Sequence, residues 1–373
     1  MVNKSPENSD HDSSHDKDEI DLKDLISIIW SGKLTIILFM LLGTISTLSY
    51  SLLAQEWWSS HAVISAPLPQ DIAAYREQVK QFQPIFDVYQ EDGTVLVNDE
   101  LNELVDPKLL FKRFITGFNS NNNKSEFLNT SVQFQTFKVE LEHQNFDALS
   151  LEDALRKLYS DWFEKVNASP VVPDDLNSPY ELTFQSTTKS SSYELLKHYL
   201  GLIQQRENYD ALDDLQAIVN VKAKELSQQK EILETQAKGK LAVEAERTKY
   251  ALDIAKAAQV EKPIPSGGNR NELFDIDLGT KALDEKVKVL QSMKNLSVVE
   301  PRLEQINAKL AMLATLKIDR SIQFQTYRVL ENAEQPIARD KPQRVIIVAL
   351  GTIFGIMLGG LIVLLRYAFR EQN

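Results

Sequence analysis

The 373-residue chain contains no cysteine. Disulfides, thiolate nucleophiles and thiolate metal ligands are therefore all excluded. Histidine is scarce: five are present, His11, His15, His61, His143 and His198, and none is paired at metal-ligand spacing with a third ligand near it. His11 and His15 read as solvated side chains of an acidic tail. No G-x-x-x-x-G-K-[ST] phosphate loop and no G-x-S-x-G nucleophile elbow occurs. The carboxylate pairs Asp275 and Asp277, or Asp213 and Asp214, read as solvated surface groups and not as a glycosidase pair, because the first sits in a predicted exposed tip and the second on a rod with no pocket around it. Excess positive charge is missing too. A formal net charge of −12 argues against a sequence-independent nucleic-acid binder, whose affinity comes from phosphate neutralisation. No catalytic, cofactor or metal constellation remains, and the chain reads as a non-enzyme.

Proline is absent from residues 190–259, and glycine is sparse there, with Gly239 in the interior. Lys, Glu, Gln, Ala and Leu fill the segment, the residues that lose least on entering a helix. One continuous helix of this length would be roughly 100 Å long, more than the diameter of an ordinary domain. Leu212, Val219, Leu226 and Leu233 recur every seven residues as a contact stripe. The companion positions carry Lys222 and Gln229, so the seam is thin and suits a slender partner, including neighbouring copies of the chain. A proline- and glycine-bearing turn at Pro263, Pro265 and Gly267–Gly268 places a tip near residues 263–277. Residues 281–317 return as helix, with a break at Pro301 and with Leu303, Ile306, Leu310 and Leu313 on one face. The pattern is a protruding helical hairpin.

Charge is missing from two further runs. Residues 34–54 and 345–365 are uncharged and long enough to cross a hydrocarbon core of roughly 30 Å. Trp30 and Trp57–Trp58 flank the first run as interfacial aromatics. A cleaved signal peptide would have a short basic leader, and here the preceding residues are long and acidic. Residues 20–30 form an amphipathic surface helix leading into the span. Lys23 and Lys33 lie before the first span, and no Lys or Arg follows it until Arg76, so the N-terminus is assigned to the cytoplasm. A second crossing returns Arg366 and Arg370 to the same side. Lys341 and Arg344, on the opposite side, fit this less well. Within the second span Gly351, Gly355 and Gly359 form a doubled G-x-x-x-G stripe for close helix packing, against either the first span or a neighbouring subunit.

The stretch between the spans begins with an alternating strand at residues 57–65. A helix at 71–82, a turn at Asp92-Gly93 and a helix capped by Asp106-Pro107 follow. Another amphipathic helix is expected at 151–166, a strand at 180–186, and a strand at 322–329 lying next to 180–186. The fold class is α+β: an α/β base with a long protruding helical hairpin, anchored by two transmembrane helices. The expected divisions are a cytoplasmic acidic tail and surface helix (1–33), a span (34–54), an extracytoplasmic domain (55–344) with base 55–189 and 322–344 and rod 190–321, a second span (345–365) and a short tail (366–373).

This layout resembles the Wzz-type polysaccharide co-polymerases, the O-antigen chain-length determinants. The likeness covers the whole chain. Besides the layout it includes DPKLLFKRF at 106–114, AEQP at 333–336 with Lys341-Pro342, and the glycine-rich second span. The resemblance implies a homo-oligomeric ring in the bacterial inner membrane, with both termini cytoplasmic and the bulk in the periplasm. It also implies a separate membrane O-antigen polymerase and a lipid-linked polysaccharide as partners, beside the lipid bilayer itself, and no nucleic acid. The absence of a phosphate loop and of a domain after Arg366 points to the kinase-free type. A periplasmic membrane-fusion-type export adaptor is the alternative, but such adaptors usually have one span and a β domain flanking the hairpin.

Overall fold

The computed structural model describes residues 22–371 apart from 91, 145, 176, 264–273 and 275. The acidic tail with His11 and His15, the turn at Pro265 and Gly267–Gly268, and Asp275 lie outside the described residues. Two helices open the chain, α1 (Leu22–Ser31) and α2 (Lys33–Leu53), followed by strand β1 (Trp58–Ser65). Helices α3 (Ala73–Lys80) and α4 (Gln83–Phe86) lead to a small hairpin, β2 (Val88–Tyr89) and β3 (Val95–Leu96), turned at Gly93 with φ +87°. Four helices then pack in sequence: α5 (Pro107–Asn119), α6 (Asn121–Thr130), α7 (Val132–Glu142) and α8 (Ala148–Phe163). Strands β4 (Val166–Pro170) and β5 (Tyr180–Ser186) precede the rod helix α9 (Lys189–Ala257). The return consists of α10 (Gly279–Ser292) and α11 (Arg302–Thr315), then edge strand β6 (Arg328–Glu331) and α12 (Arg344–Glu371).

The main sheet has the order β4-β5-β1-β6, with every neighbouring pair antiparallel. Two expectations change here. The segment at 322–329 does not join β5, because β5 already has β1 on one side and β4 on the other. The returning chain instead reaches the free edge of β1 with residues 328–331, a start six residues later than expected, pairing Ser65 with Arg328 and Val63 with Glu331 across a bulge. Val166 does not end a helix. It opens β4, and its side chain is buried among the sheet residues.

Behind the sheet lies an aromatic core. Trp162, Phe114, Phe118, Phe134, Phe184 and Tyr199 are fully buried, and the Tyr199 hydroxyl donates to the Phe118 carbonyl at 2.8 Å. Ring pairs such as Phe134–Trp162, edge to face at 5.6 Å, contribute roughly 0.5–1.5 kcal/mol each beyond their buried area. The first turns of α9 supply Leu195, Leu196, Tyr199 and Ile203 to this core, so the rod is rooted in the base.

The rod helix starts where a capping box is available. Thr188 Oγ1 accepts from the Ser191 amide at 3.0 Å, and Ser191 Oγ accepts from the Thr188 amide at 3.1 Å. Its end coincides with Gln259 in the left-handed region, φ +60°, shortly before Pro263. With 69 residues, α9 is roughly 100 Å long. The return is not one helix but two, broken over residues 293–301, with α11 starting directly after Pro301.

Candidate functional site

Three places carry the features singled out in the sequence: the membrane anchor, the rod, and the joint where the rod leaves the base.

The anchor is a tight pair. Helices α2 and α12 are long and apolar enough to cross a membrane, and most of their apolar side chains are exposed in the isolated chain. Gly351, Gly355 and Gly359 all face α2. A β-carbon at Gly355 would lie 2.5 Å from the Phe39 carbonyl oxygen, and one at Gly359 would lie 2.8 Å from the Ile36 Cα. Thr47 fills the space over Gly351. The first span has its own counterpart, Gly43, whose added β-carbon would meet the Gly351 carbonyl at 2.6 Å. Thr44 and Thr352 hydroxyls bond across the pair at 2.9 Å. The sequence left the partner of this stripe open between the first span and another subunit; within the chain the position is filled by α2. Gly43, Thr44 and Thr47 were not singled out beforehand, although small residues four apart on α2 are the signal that would have found them.

Where α2 ends and α12 begins, Glu56 accepts from Arg344 at 2.7 Å and Arg339 at 3.1 Å, while Arg344 Nε also donates to the Ser51 carbonyl. Arg344, which fitted poorly as an outward charge, is thus neutralised by an acid at the exit of the first span. The main chain closes the same junction: the Trp57 amide donates to the Lys341 carbonyl at 3.0 Å.

The rod stripe is covered from within the chain. Leu212, Val219, Leu226 and Leu233 are 1, 7, 3 and 8% exposed and belong to one cluster with Leu303 and Ile306 of α11. The stripe is therefore covered from within the chain, by the return and also by residues of α3, α4 and the segment after them, such as Tyr75, Phe86 and Leu104. It also runs denser than a seven-residue repeat, because Ala211, Leu215 and Ala237 are buried in the same cluster. Nearer the tip, Ala251, Leu252 and Ala255 pack on Leu283 of α10. Ion pairs flank the seam: Lys240 and Arg302 both hold the buried Glu300, at 2.8 and 2.5 Å, and pull its carboxyl down to about 2. Lys286 meets Glu244 at 2.8 Å.

At the joint, α5 crosses α9. Gly117 sits against Glu207, where an added β-carbon would approach Oε1 to 2.5 Å. Partial burial, reinforced by Asp210 and Asp214, pushes the Glu207 carboxyl up to about 7, while Arg113 and Arg206 oppose the shift. The imagined acid pair is split: Asp213 meets Arg320 at 2.7 Å and Asp214 meets Arg113 at 2.5 Å. Among the described residues no group of three or more His, Cys, Asp or Glu is placed to hold a metal ion.

Comparison with known proteins is consistent along the whole chain. Residues 18–148 match the family model Wzz, chain length determinant protein, and residues 301–368 match the GNVR G-rich domain, which spans α11, β6 and the glycine stripe. The Ferric enterobactin transport protein FepE of Escherichia coli is 25% identical over 97% of this chain and 92% of its own. A chain length determinant protein of E. coli is 25% identical over 96% of both chains. The ECA polysaccharide chain length modulation protein of E. coli is 25% identical over 94% of this chain and 95% of its own. Among solved structures, a full-length bacterial polysaccharide co-polymerase superposes with a TM-score of 0.63 at 24% identity, covering 95% of this chain and 99% of that one. The Shigella flexneri O-antigen chain-length regulator gives a TM-score of 0.50 at 20% identity, covering 76% of this chain and all of that one.

Proposed function

We propose, from the premise that the chain carries a Wzz chain length determinant domain in a polysaccharide co-polymerase fold, that it regulates the chain length of O-antigen or a related surface polysaccharide. It acts as a ring-forming scaffold of the bacterial inner membrane, beside a separate polymerase that performs the glycosyl transfer on a lipid-linked chain. Both termini are cytoplasmic and the base and rod stand in the periplasm. The chain itself catalyses nothing. The observation that carries this reading is architectural: two packed apolar helices hold both ends of one base, and from that base a helix of 69 residues extends. Such a shape positions surfaces.

The test is a deletion of the gene followed by gel analysis of extracted lipopolysaccharide and related glycans. A changed length distribution, restored by the wild-type gene, supports the regulator. One relative is named for ferric enterobactin transport, which favours a second reading, an export adaptor. Unchanged sugar-chain lengths with a lost export phenotype would select that reading instead.

A further inference from the structure

The segment that follows α11 alternates: Phe324 and Thr326 are buried, and Gln323 and Gln325 are exposed. The alternation predicted a sheet strand, but these residues pair with no strand. They are held in place by other means. Phe324 stacks on Tyr75 at 4.5 Å and 11°, and the Gln325 amide donates to the Asp71 carbonyl at 3.0 Å. Gln204 of α9 locks the other side. Its amide nitrogen donates to the Phe324 carbonyl at 2.7 Å and to Asn208 Oδ1 at 2.9 Å, and its carbonyl accepts from the Thr326 hydroxyl at 2.9 Å. The result is a rigid extended edge lying alongside α9, with a groove between them.

The groove's lining is unusual in one respect: it is rich in side-chain amides and poor in charge. Gln205, Gln323 and Gln325 make no side-chain hydrogen bond to any described residue, and the Asn208 amide nitrogen is equally unused. Tyr209 stands beside them, 49% exposed, its hydroxyl also without a partner among the described residues. Among the described lining residues only Arg320 is charged, and it is engaged by Asp213 at 2.7 Å. The floor is open at Gly201, where an added β-carbon would have nothing within 4 Å. Glycine in a helix interior is unfavourable, and no close approach requires it here.

We infer that this groove is a binding site for a neutral, hydroxyl-rich saccharide, and the inference rests on the polysaccharide-regulator reading above. A sugar hydroxyl is both donor and acceptor, which is what each free carboxamide offers in return. The tyrosine ring supplies an apolar face for the C–H side of a pyranose and a hydroxyl at its edge. Among the described lining residues no free cation is present to hold a phosphate or carboxylate. Because the backbone of the edge is pinned by buried contacts, the positions from which its carboxamides project are set before the ligand arrives. The site lies at the root of the rod.

The test uses the full chain in detergent micelles. Its probe is the oligosaccharide released by mild acid from the surface polysaccharide of cells carrying the gene, with maltoheptaose as an unrelated neutral glycan. Saturation-transfer NMR and calorimetry read binding. Tyr209→Ala should weaken binding of the released oligosaccharide at least tenfold, and Gly201→Trp, whose added β-carbon meets nothing within 4 Å and whose ring occupies the groove, should abolish it. Tyr250→Ala, at an exposed tyrosine elsewhere on α9, should bind as wild type. Circular dichroism and detergent sizing establish that each variant is folded. Wild-type binding by folded Gly201→Trp, or no binding by the wild type at millimolar oligosaccharide, overturns the site; so does maltoheptaose binding that Gly201→Trp leaves intact. If deletion of the gene alters polysaccharide length but the groove variants neither bind nor regulate differently, this inference fails and the regulator reading stands. If deletion alters nothing, the regulator reading itself fails.

Discussion

Replacing Gly355 by leucine tests the packing of α2 against α12. The first added atom alone would stand 2.5 Å from the Phe39 carbonyl oxygen, 2.9 Å from the Met40 Cα and 3.1 Å from the Phe39 carbonyl carbon. All three are backbone atoms, so no rotamer change relieves them. Restoring an ordinary separation of about 3.5 Å moves the helices apart by about 1 Å at their closest point. Overpacking of this kind costs about 1–3 kcal/mol. The same displacement loosens the contacts at Gly43 and Gly359 and strains the Thr44–Thr352 hydrogen bond, itself worth about 0.6 kcal/mol in membrane proteins. A loss of roughly 2–4 kcal/mol follows, more than a tenfold shift in the paired population. Because the chain has no cysteine, the readout is clean. Cysteines at positions 44 and 352, where the hydroxyls are 2.9 Å apart, should form an internal disulfide in isolated membranes, visible as a mobility shift on a non-reducing gel. Gly355→Leu in that background should cross-link slowly or not at all. Gly360→Leu, where nothing lies within 4 Å, should cross-link like the parent. Equal cross-linking by Gly355→Leu and the parent would refute the argument.

Glu207 gives a pH dependence. Its carboxyl is raised to about 7, so the folded chain binds more protons than the unfolded chain between the ordinary carboxylate range and that value. Stability contributed by this group is therefore full at low pH and declines as pH rises toward 7. Glu207→Gln, which is never charged, should raise the melting temperature at pH 8 and leave it nearly unchanged at pH 4.5, a difference of about 1–2 kcal/mol after allowing for solvent screening; parallel melting curves for both chains at the two pH values would dismiss it. Gly201→Ala should stabilise α9 by about 0.5–1 kcal/mol, read by thermal melting, since it adds helix propensity in open space. Removing seven residues of α9 around Leu226 together with seven of α11 around Ile306 keeps the stripe in phase and shortens the rod by roughly 10 Å. The modal polysaccharide length should change while membrane insertion persists, and a normal glycan ladder would take the rod out of the mechanism.

What could be read from the residues depended on how local the determining interactions are. The two anchoring helices, the strands at Trp58–Ser65 and Tyr180–Ser186, and the rod follow from composition and period alone. They were legible because each element's own sequence decides it. Strand β4 was missed because Val166–Pro170 is too short, and includes a proline, to announce a strand. It is one only because the edge of β5 is available to it. The segment at 322–329 had the right period and the wrong partner. Alternating burial there reflects a buried Phe324 and Thr326 held by Tyr75 and Gln204, and periodicity records burial, not pairing.

The rod shows the same limit with a larger consequence. Leu212, Val219, Leu226 and Leu233 were read as a contact stripe and are buried in one cluster, and a seven-residue spacing carries no information on whose surface covers them. Their burial in one cluster with Leu303 and Ile306 of the return and with Tyr75, Phe86 and Leu104 makes this apolar face of α9 internal. Whatever side-by-side assembly the chain enters must then use other faces. On α9 these expose Val221, Ile232, Val243 and Ile254, which share one face but recur only every eleven residues, about three turns apart, with mostly polar residues between them. Contacts of that kind are individually weak, so a rod-to-rod interface alone would hold copies together poorly. In the assembly proposed here the base and the membrane helices must therefore contribute association energy. The rod, stiffened by its own return, is left free to set the distance at which its tip stands from the bilayer.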